Sequence, residues 1–180
     1  MPQIEFWYDF ASTYSYLTAM RIGPLAEAAG VQVAYRPFLL GPIFKAQGLT
    51  TSPFAANPIK GRYIARDIGR IATARGLVFH VPDPFPAHSL AAARIAMVAE
   101  AEGWIEPFTR AVFAAEFSSR EDIASTDVLS RIVSGLGHDP ARISTAGSVP
   151  SRWKLWRRWI RGRDCISPRR SAKAKTAAFG

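Results

Sequence analysis

Cysteine is almost missing from this chain: Cys165 is the only one among 180 residues. A single thiol closes no internal disulfide, so a disulfide-stapled fold is excluded and cytoplasmic residence is the default expectation. Long apolar runs are missing as well. No stretch reaches the roughly 18–20 apolar residues of a membrane span. The opening MPQIEF lacks the basic segment and long apolar core of a secretory signal. Nor is there a glycine-rich phosphate loop, a Ser-His-Asp signature or a Cys-x-x-Cys pair. His80 and His88 flank a proline-rich link without a second ligand pair at metal spacing, so no metal site is expected.

Acidic residues are scarce in one place only. Residues 1–148 hold 13 Lys and Arg against 13 Asp and Glu, whereas residues 149–180 hold 10 basic residues against Asp164 alone. The net charge of +9 therefore belongs to the tail. A uniformly basic protein would suggest a nucleic acid or an anionic membrane as partner. A neutral body with a basic tail does not, and neither partner is expected for the body.

What is present begins with Ile4 to Leu17, IEFWYDFASTYSYL. Ile4, Phe6 and Tyr8 alternate with Glu5, Trp7 and Asp9, the period-two pattern of a half-buried strand. After the small residues Ala11, Ser12 and Thr13 the spacing turns helical. Ser12 thus falls at a helix N-terminus, where free backbone N–H groups and the positive dipole end suit a thiolate or oxyanion. Serine is also a preferred N-cap, so a purely structural role fits the same position. The helix runs to about Ile22, kinks or restarts at Gly23-Pro24, and ends before Gly30. Val31, Val33 and Tyr35 form a second strand ending at Pro37. A helix between two strands predicts a βαβ unit with a parallel pair.

Residues 38–63 read as a long structured loop, with Pro42, Pro53 and Pro58 among glycines. Loops of this length in compact domains are usually functional, and Lys45, Asn57 and Lys60 are its notable polar groups. Four helical patterns follow. Ile64, Ile68, Ile71 and Ala72 share one face, with Arg62, Arg66, Arg70 and Arg75 expected on a solvated one. Ser89 is expected to cap an alanine-rich, buried helix over Leu90–Ala101. Ile105, Phe108 and Val112 mark a third helix to about Phe117, and a fourth starts at Ser125 or Thr126 and stops at Gly137.

A βαβ start followed by a helical block resembles the DsbA-like branch of the thioredoxin superfamily. There the first helix opens with two cysteines, but here the place holds Ser12-Thr13-Tyr14-Ser15. Dithiol exchange needs an attacking and a resolving thiol, so disulfide oxidoreductase activity is not expected. The run YDFASTYSYL, with RPFLLGPIFKAQGL, NPIKGRY, PFPAHSL and AVFAAEF, resembles the 2-hydroxychromene-2-carboxylate isomerases and the related kappa-class glutathione transferases. The resemblance covers about residues 1–147. It implies an α/β, thioredoxin-like (DsbA-like) fold, with a βαβ unit over 1–40 and a loop and inserted helical domain over 41–147.

The implied activity is glutathione-dependent cis–trans isomerisation of an aromatic or unsaturated carboxylate, with a homodimer as the implied assembly. Ser12 is the implied catalytic residue, Ser12 and Tyr14 the implied glutathione contacts, and Lys45, Asn57 and His88 the implied substrate contacts. His88 stands where the family usually has Asn, and imidazole donates or accepts according to tautomer and pH. A kappa-like transferase or dehalogenase on another substrate is the near alternative. An inactive binding module whose basic tail meets nucleic acid or anionic lipid is the distant one.

The resemblance stops at the C-terminus. The family's segment with a cis-proline, its last strands and its closing helix have no counterpart after Ser148, so the C-terminal βββα half is expected to be missing or replaced. Residues 148–180 instead read as a basic tail, irregular or a short helix, with Trp153, Trp156 and Trp159 among arginines. The abrupt change of charge and motif leads to the expectation of a shifted reading frame there, one that would impair the enzyme.

Overall fold

The computed structural model describes residues 1–141; the tail, its tryptophans and the replacement of the C-terminal half lie outside the described residues. The chain opens with β1 (Gln3–Tyr8), α1 (Thr13–Ala28) and β2 (Gln32–Pro37). Next come α2 (Leu40–Ala46), α3 (Pro53–Ala56) and α4 (Pro58–Ala74), then α5 (Leu90–Glu102), α6 (Ile105–Phe117) and α7 (Thr126–Gly135). β1 and β2 pair in parallel from Gln3–Gln32 to Tyr8–Pro37, which is the expected βαβ unit. Among the described residues these two strands make the whole sheet.

The alternation of β1 sets the core. Phe6 and Tyr8 are buried on the helical side, and Tyr35 of β2 meets both edge-on. Ile4, expected on the same face, is 47% exposed because it sits at the outer end of the strand. Tyr8 passes its ring to Phe10 and Phe113, and Tyr16 of α1 meets Phe113 and Phe117 of α6. Each buried ring of this kind stabilises the fold by roughly 2–3 kcal/mol. The Tyr8 hydroxyl is not left bare inside: it shares a 2.7 Å hydrogen bond with Thr109 Oγ1.

Of the two expectations for Gly23-Pro24, a kink or a restart, the restart is overturned: α1 is one helix with Pro24 inside it. Two further expectations change. The long loop is not loop throughout. Pro42 falls in the first turn of α2, where an N–H has no intrahelical acceptor to lose, so it permits a helix. α4 begins six residues before its first expected apolar position, with Pro58 in its first turn and Asn57 as N-cap. The arginine row of α4 is exposed as expected, and Arg70 pairs with Asp67 at 3.0 Å.

Candidate functional site

The turn from β1 into α1 carries the site. Ser12 is the N-cap of α1, half-buried, and its backbone N–H donates to the Asp9 carbonyl at 3.0 Å. Its hydroxyl oxygen accepts from the Ser15 N–H at 3.3 Å. Ser12 is therefore a cap, as one reading of the sequence held. Capping uses only an oxygen lone pair. The hydroxyl hydrogen has no acceptor among the described residues, and the first helical N–H groups, Thr13 and Tyr14, have no partner within the helix. A donor hydroxyl and two N–H groups at the positive end of a 16-residue helix fit a thiolate sulfur.

Asp9 holds this turn in place. Alternation put it on the outward face of β1, yet it is only 3% exposed. Its Oδ1 accepts from the Ala11 N–H at 3.0 Å and from the Ser89 hydroxyl at 2.7 Å, and its Oδ2 accepts from the Leu40 N–H at 2.6 Å. Leu40 is the first residue of α2 and Ser89 immediately precedes α5. One carboxylate thus gathers the N-terminal ends of α1, α2 and α5, three positive dipole ends. The expected capping role of Ser89 gives way to this contact, for its side chain makes no cap bond to α5.

Of the remaining expected site residues, His88 adjoins Ser89 in sequence, and Tyr14, Lys45 and Asn57 lie on α1, on α2 and at the cap of α4. Tyr14 is half exposed, and its hydroxyl donates to Asp67 of α4 at 3.5 Å. Partial desolvation, and then the Asp67 charge, push the Tyr14 phenol upward. Lys45 is exposed on the last turn of α2, five residues after the Leu40 tether. His88 is exposed beside Ser89. Asn57 is occupied in part: its Oδ1 accepts from the Lys60 N–H at 3.0 Å as the cap of α4, which leaves the amide donors outward. Among the described residues, no hydrogen bond joins Lys45, Asn57 or His88 to Ser12 or Tyr14.

The sequence reading passed over two carboxyls, Asp9 and Glu116. Glu116 of α6 is fully buried, and neither oxygen has a hydrogen-bond partner among the described residues. Burial, reinforced by the Asp9 and then the Asp122 charges, pushes its carboxyl up to about 9, so it is neutral at pH 7. A signal for it was present, because Phe108, Val112 and Glu116 recur at i, i+4 and i+8 on the core face of α6.

Among the described residues no three His, Cys, Asp or Glu side chains gather as a metal site. No described helix is long and apolar enough to cross a membrane.

A parallel βαβ unit followed by a helical insertion, with a small polar turn at the start of the first helix, defines a thioredoxin-type protein. Residues 3–152 match the DSBA-like thioredoxin domain, and the chain belongs to that family. The fold is similar to that of 2-hydroxychromene-2-carboxylate isomerase, with a TM-score of 0.76 at 20% identity over 88% of this chain and 77% of the isomerase. A probable DsbA oxidoreductase from Streptomyces coelicolor gives 0.65 at 18% identity, over 89% of this chain and 73% of that one. The cytosolic disulfide reductase DsbM from Pseudomonas aeruginosa, solved with GSH, gives 0.61 at 19% identity, over 88% and 79%. No curated protein matches the sequence. These similarities establish the DsbA-like fold that the motifs implied. They leave the reaction to be argued from the site.

Proposed function

We propose that the chain binds glutathione at the N-terminus of α1 and isomerises an aromatic or unsaturated carboxylate, working as a homodimer. The observation that carries this reading is Ser12. It stands where a thioredoxin-type oxidoreductase has its attacking thiol, and its hydroxyl hydrogen is unspent. Ser15 occupies the resolving position, so neither half of a dithiol exchange is available and the disulfide chemistry of the family's oxidoreductases is set aside. Glutathione, when bound, supplies a thiolate that adds reversibly to a conjugated double bond and allows rotation about it.

The chain's own residues have simple tasks. The Ser12 hydroxyl donates to the sulfur, and the Thr13 and Tyr14 N–H groups with the α1 dipole favour its anionic form. Lys45 offers a cation and Asn57 its free amide hydrogens to a substrate carboxylate. His88 offers an imidazole, a ring that can donate or accept a hydrogen bond. No electron is gained or lost overall, which suits a site built from hydroxyls and amides.

Calorimetry of the full chain with glutathione, and a panel of unsaturated aromatic carboxylates assayed with and without it, test the reading. The expected result is saturable binding and turnover that requires glutathione. Ser12→Ala is expected to lower turnover by about two orders of magnitude while binding persists. Turnover indifferent to glutathione, or unchanged in Ser12→Ala, rejects it.

A further inference from the structure

Three of the groups given a task above stand on separate elements. Ser12 caps α1, Lys45 lies in the last turn of α2, and His88 precedes Ser89 ahead of α5. Their mutual placement is therefore a tertiary matter. α2 is the clearest case, because none of its residues is buried and core packing does not fix it. Among the described residues, the one hydrogen bond between α2 and a side chain runs from the Leu40 N–H to Asp9 Oδ2, at 2.6 Å.

We propose that Asp9 is the positioning residue of the site. It sets where Lys45 and His88 stand relative to Ser12, and so couples the substrate contacts to the glutathione contact. What those contacts hold rests on the glutathione reading; how they are placed rests on the bonds that Asp9 makes.

Each tether falls next to a group that it places. The Ala11 N–H, 3.0 Å from Oδ1, belongs to the residue before Ser12. The Asp9 carbonyl takes the Ser12 N–H itself, also at 3.0 Å. The Ser89 hydroxyl, 2.7 Å from the same Oδ1, belongs to the buried residue after His88. From the Leu40 N–H the helix leads to Lys45, five residues and roughly 7.5 Å further along its axis. Both oxygens of a side chain that is only 3% exposed are thus spent on protein donors, where water competes little. Asn57 lies off this node, held as the cap of α4.

An amide at position 9 keeps the shape and spoils the acceptor set. Asn offers one oxygen and two N–H donors. The local turn to the Ala11 N–H, which Asn also forms, keeps the oxygen. The Leu40 N–H then faces a donor and the hold on α2 is lost.

The test is a set of double-mutant cycles on turnover by the full chain, with glutathione and an unsaturated aromatic carboxylate. Lys45→Ala should raise KM about tenfold in the natural chain, the worth of one charge-assisted hydrogen bond. In an Asp9→Asn background the same change should raise it by under about twofold. Asn57→Ser, which keeps a capping oxygen and loses the amide, should raise KM by one and the same factor in both backgrounds. Ser89→Ala should likewise shrink the effect of His88→Ala, and Ser89→Thr, which keeps a hydroxyl, should restore it. A residue that only stabilised the fold would leave all these factors unchanged. If Asp9→Asn does not fold, the cycle of Ser89 with His88 decides alone.

An effect of Lys45→Ala that is equal in both backgrounds overturns the proposal. So does an effect of His88→Ala that is indifferent to the Ser89 hydroxyl. If the natural chain turns over no such carboxylate with glutathione, the function proposed above fails, and amide exchange without ligand decides the tether. Asp9→Asn should then speed exchange over Leu40–Ala46 about tenfold more than over Ile105–Phe117, and equal speeding overturns the proposal.

Discussion

Glu116→Gln should make this protein more stable, by an amount that grows with pH. The carboxyl has a pKa of about 9 in the folded chain and 4.5 unfolded. Between those values the folded state binds more protons than the unfolded state, so stability falls as pH rises through the window and levels off above it. Each pH unit costs about 1.4 kcal/mol. At pH 7 the accumulated cost is about 3 kcal/mol, and at pH 8 nearer 5 kcal/mol, both to order of magnitude.

Glutamine carries no titratable proton and escapes this term. It still buries an amide without partners, at a fixed cost of about 1–3 kcal/mol. The offset between the two proteins is therefore small near pH 6, and the slope is the diagnostic quantity. Urea unfolding of both full chains at half-unit steps from pH 5.5 to 8.5 should give curves that diverge steadily in favour of Gln. Parallel curves would refute the reasoning, because they would mean that Glu116 ionises alike in both states.

Other perturbations separate the structural tasks of neighbouring residues. Ser12→Ala loses the cap bond from the Ser15 N–H and should cost about 1 kcal/mol. In a chain of this size that lowers Tm by about 2–4 °C, readable by calorimetry. Tyr8→Phe or Thr109→Val alone strands one partner of a buried 2.7 Å hydrogen bond and should cost about 1–3 kcal/mol. The double variant should cost clearly less than the sum, as a double-mutant cycle in urea would show. Gly61→Ala would bring a methyl to 2.6 Å from the Phe54 carbonyl oxygen, so α3 should shift off α4. The expected cost is about 1–3 kcal/mol, with faster amide exchange over Pro53–Ala56. Ser89→Ala removes a donor from Asp9 and should loosen α5 at its start, seen as faster amide exchange at Ala92 and Ala93 with Ala96 and Ala99 unchanged.

The βαβ unit could be read from the sequence because its signals are local: a period of two, then helical spacing, then a period of two again. The helices α5, α6 and α7 were legible for the same reason. α2 was hidden by Gly41 and Pro42, which read as loop until their place in a first turn is known. Asp9 was misplaced because alternation treats an acid as outward-facing. Two of its donors lie 31 and 80 residues away, beyond any local window. At Ser89 the position was read correctly and the bond was not, since the hydroxyl turned to a carboxylate of another element. Ser12 was legible from its place at a helix start, and both the cap and the free hydrogen follow from that place.

The Asp9 node also bears on how this scaffold tolerates change. Two of its three tethers, at Ala11 and Leu40, are made by backbone N–H groups and are indifferent to the side chains there; only proline would break them. Position 89 alone asks for a hydroxyl. Residues 41–51, which hold Lys45, can therefore differ in length and chemistry without touching these tethers, provided a non-proline residue remains at position 40, whereas Asn57 is held as the cap of α4. A change in that segment leaves the three bonds that hold the turn before α1 as they are.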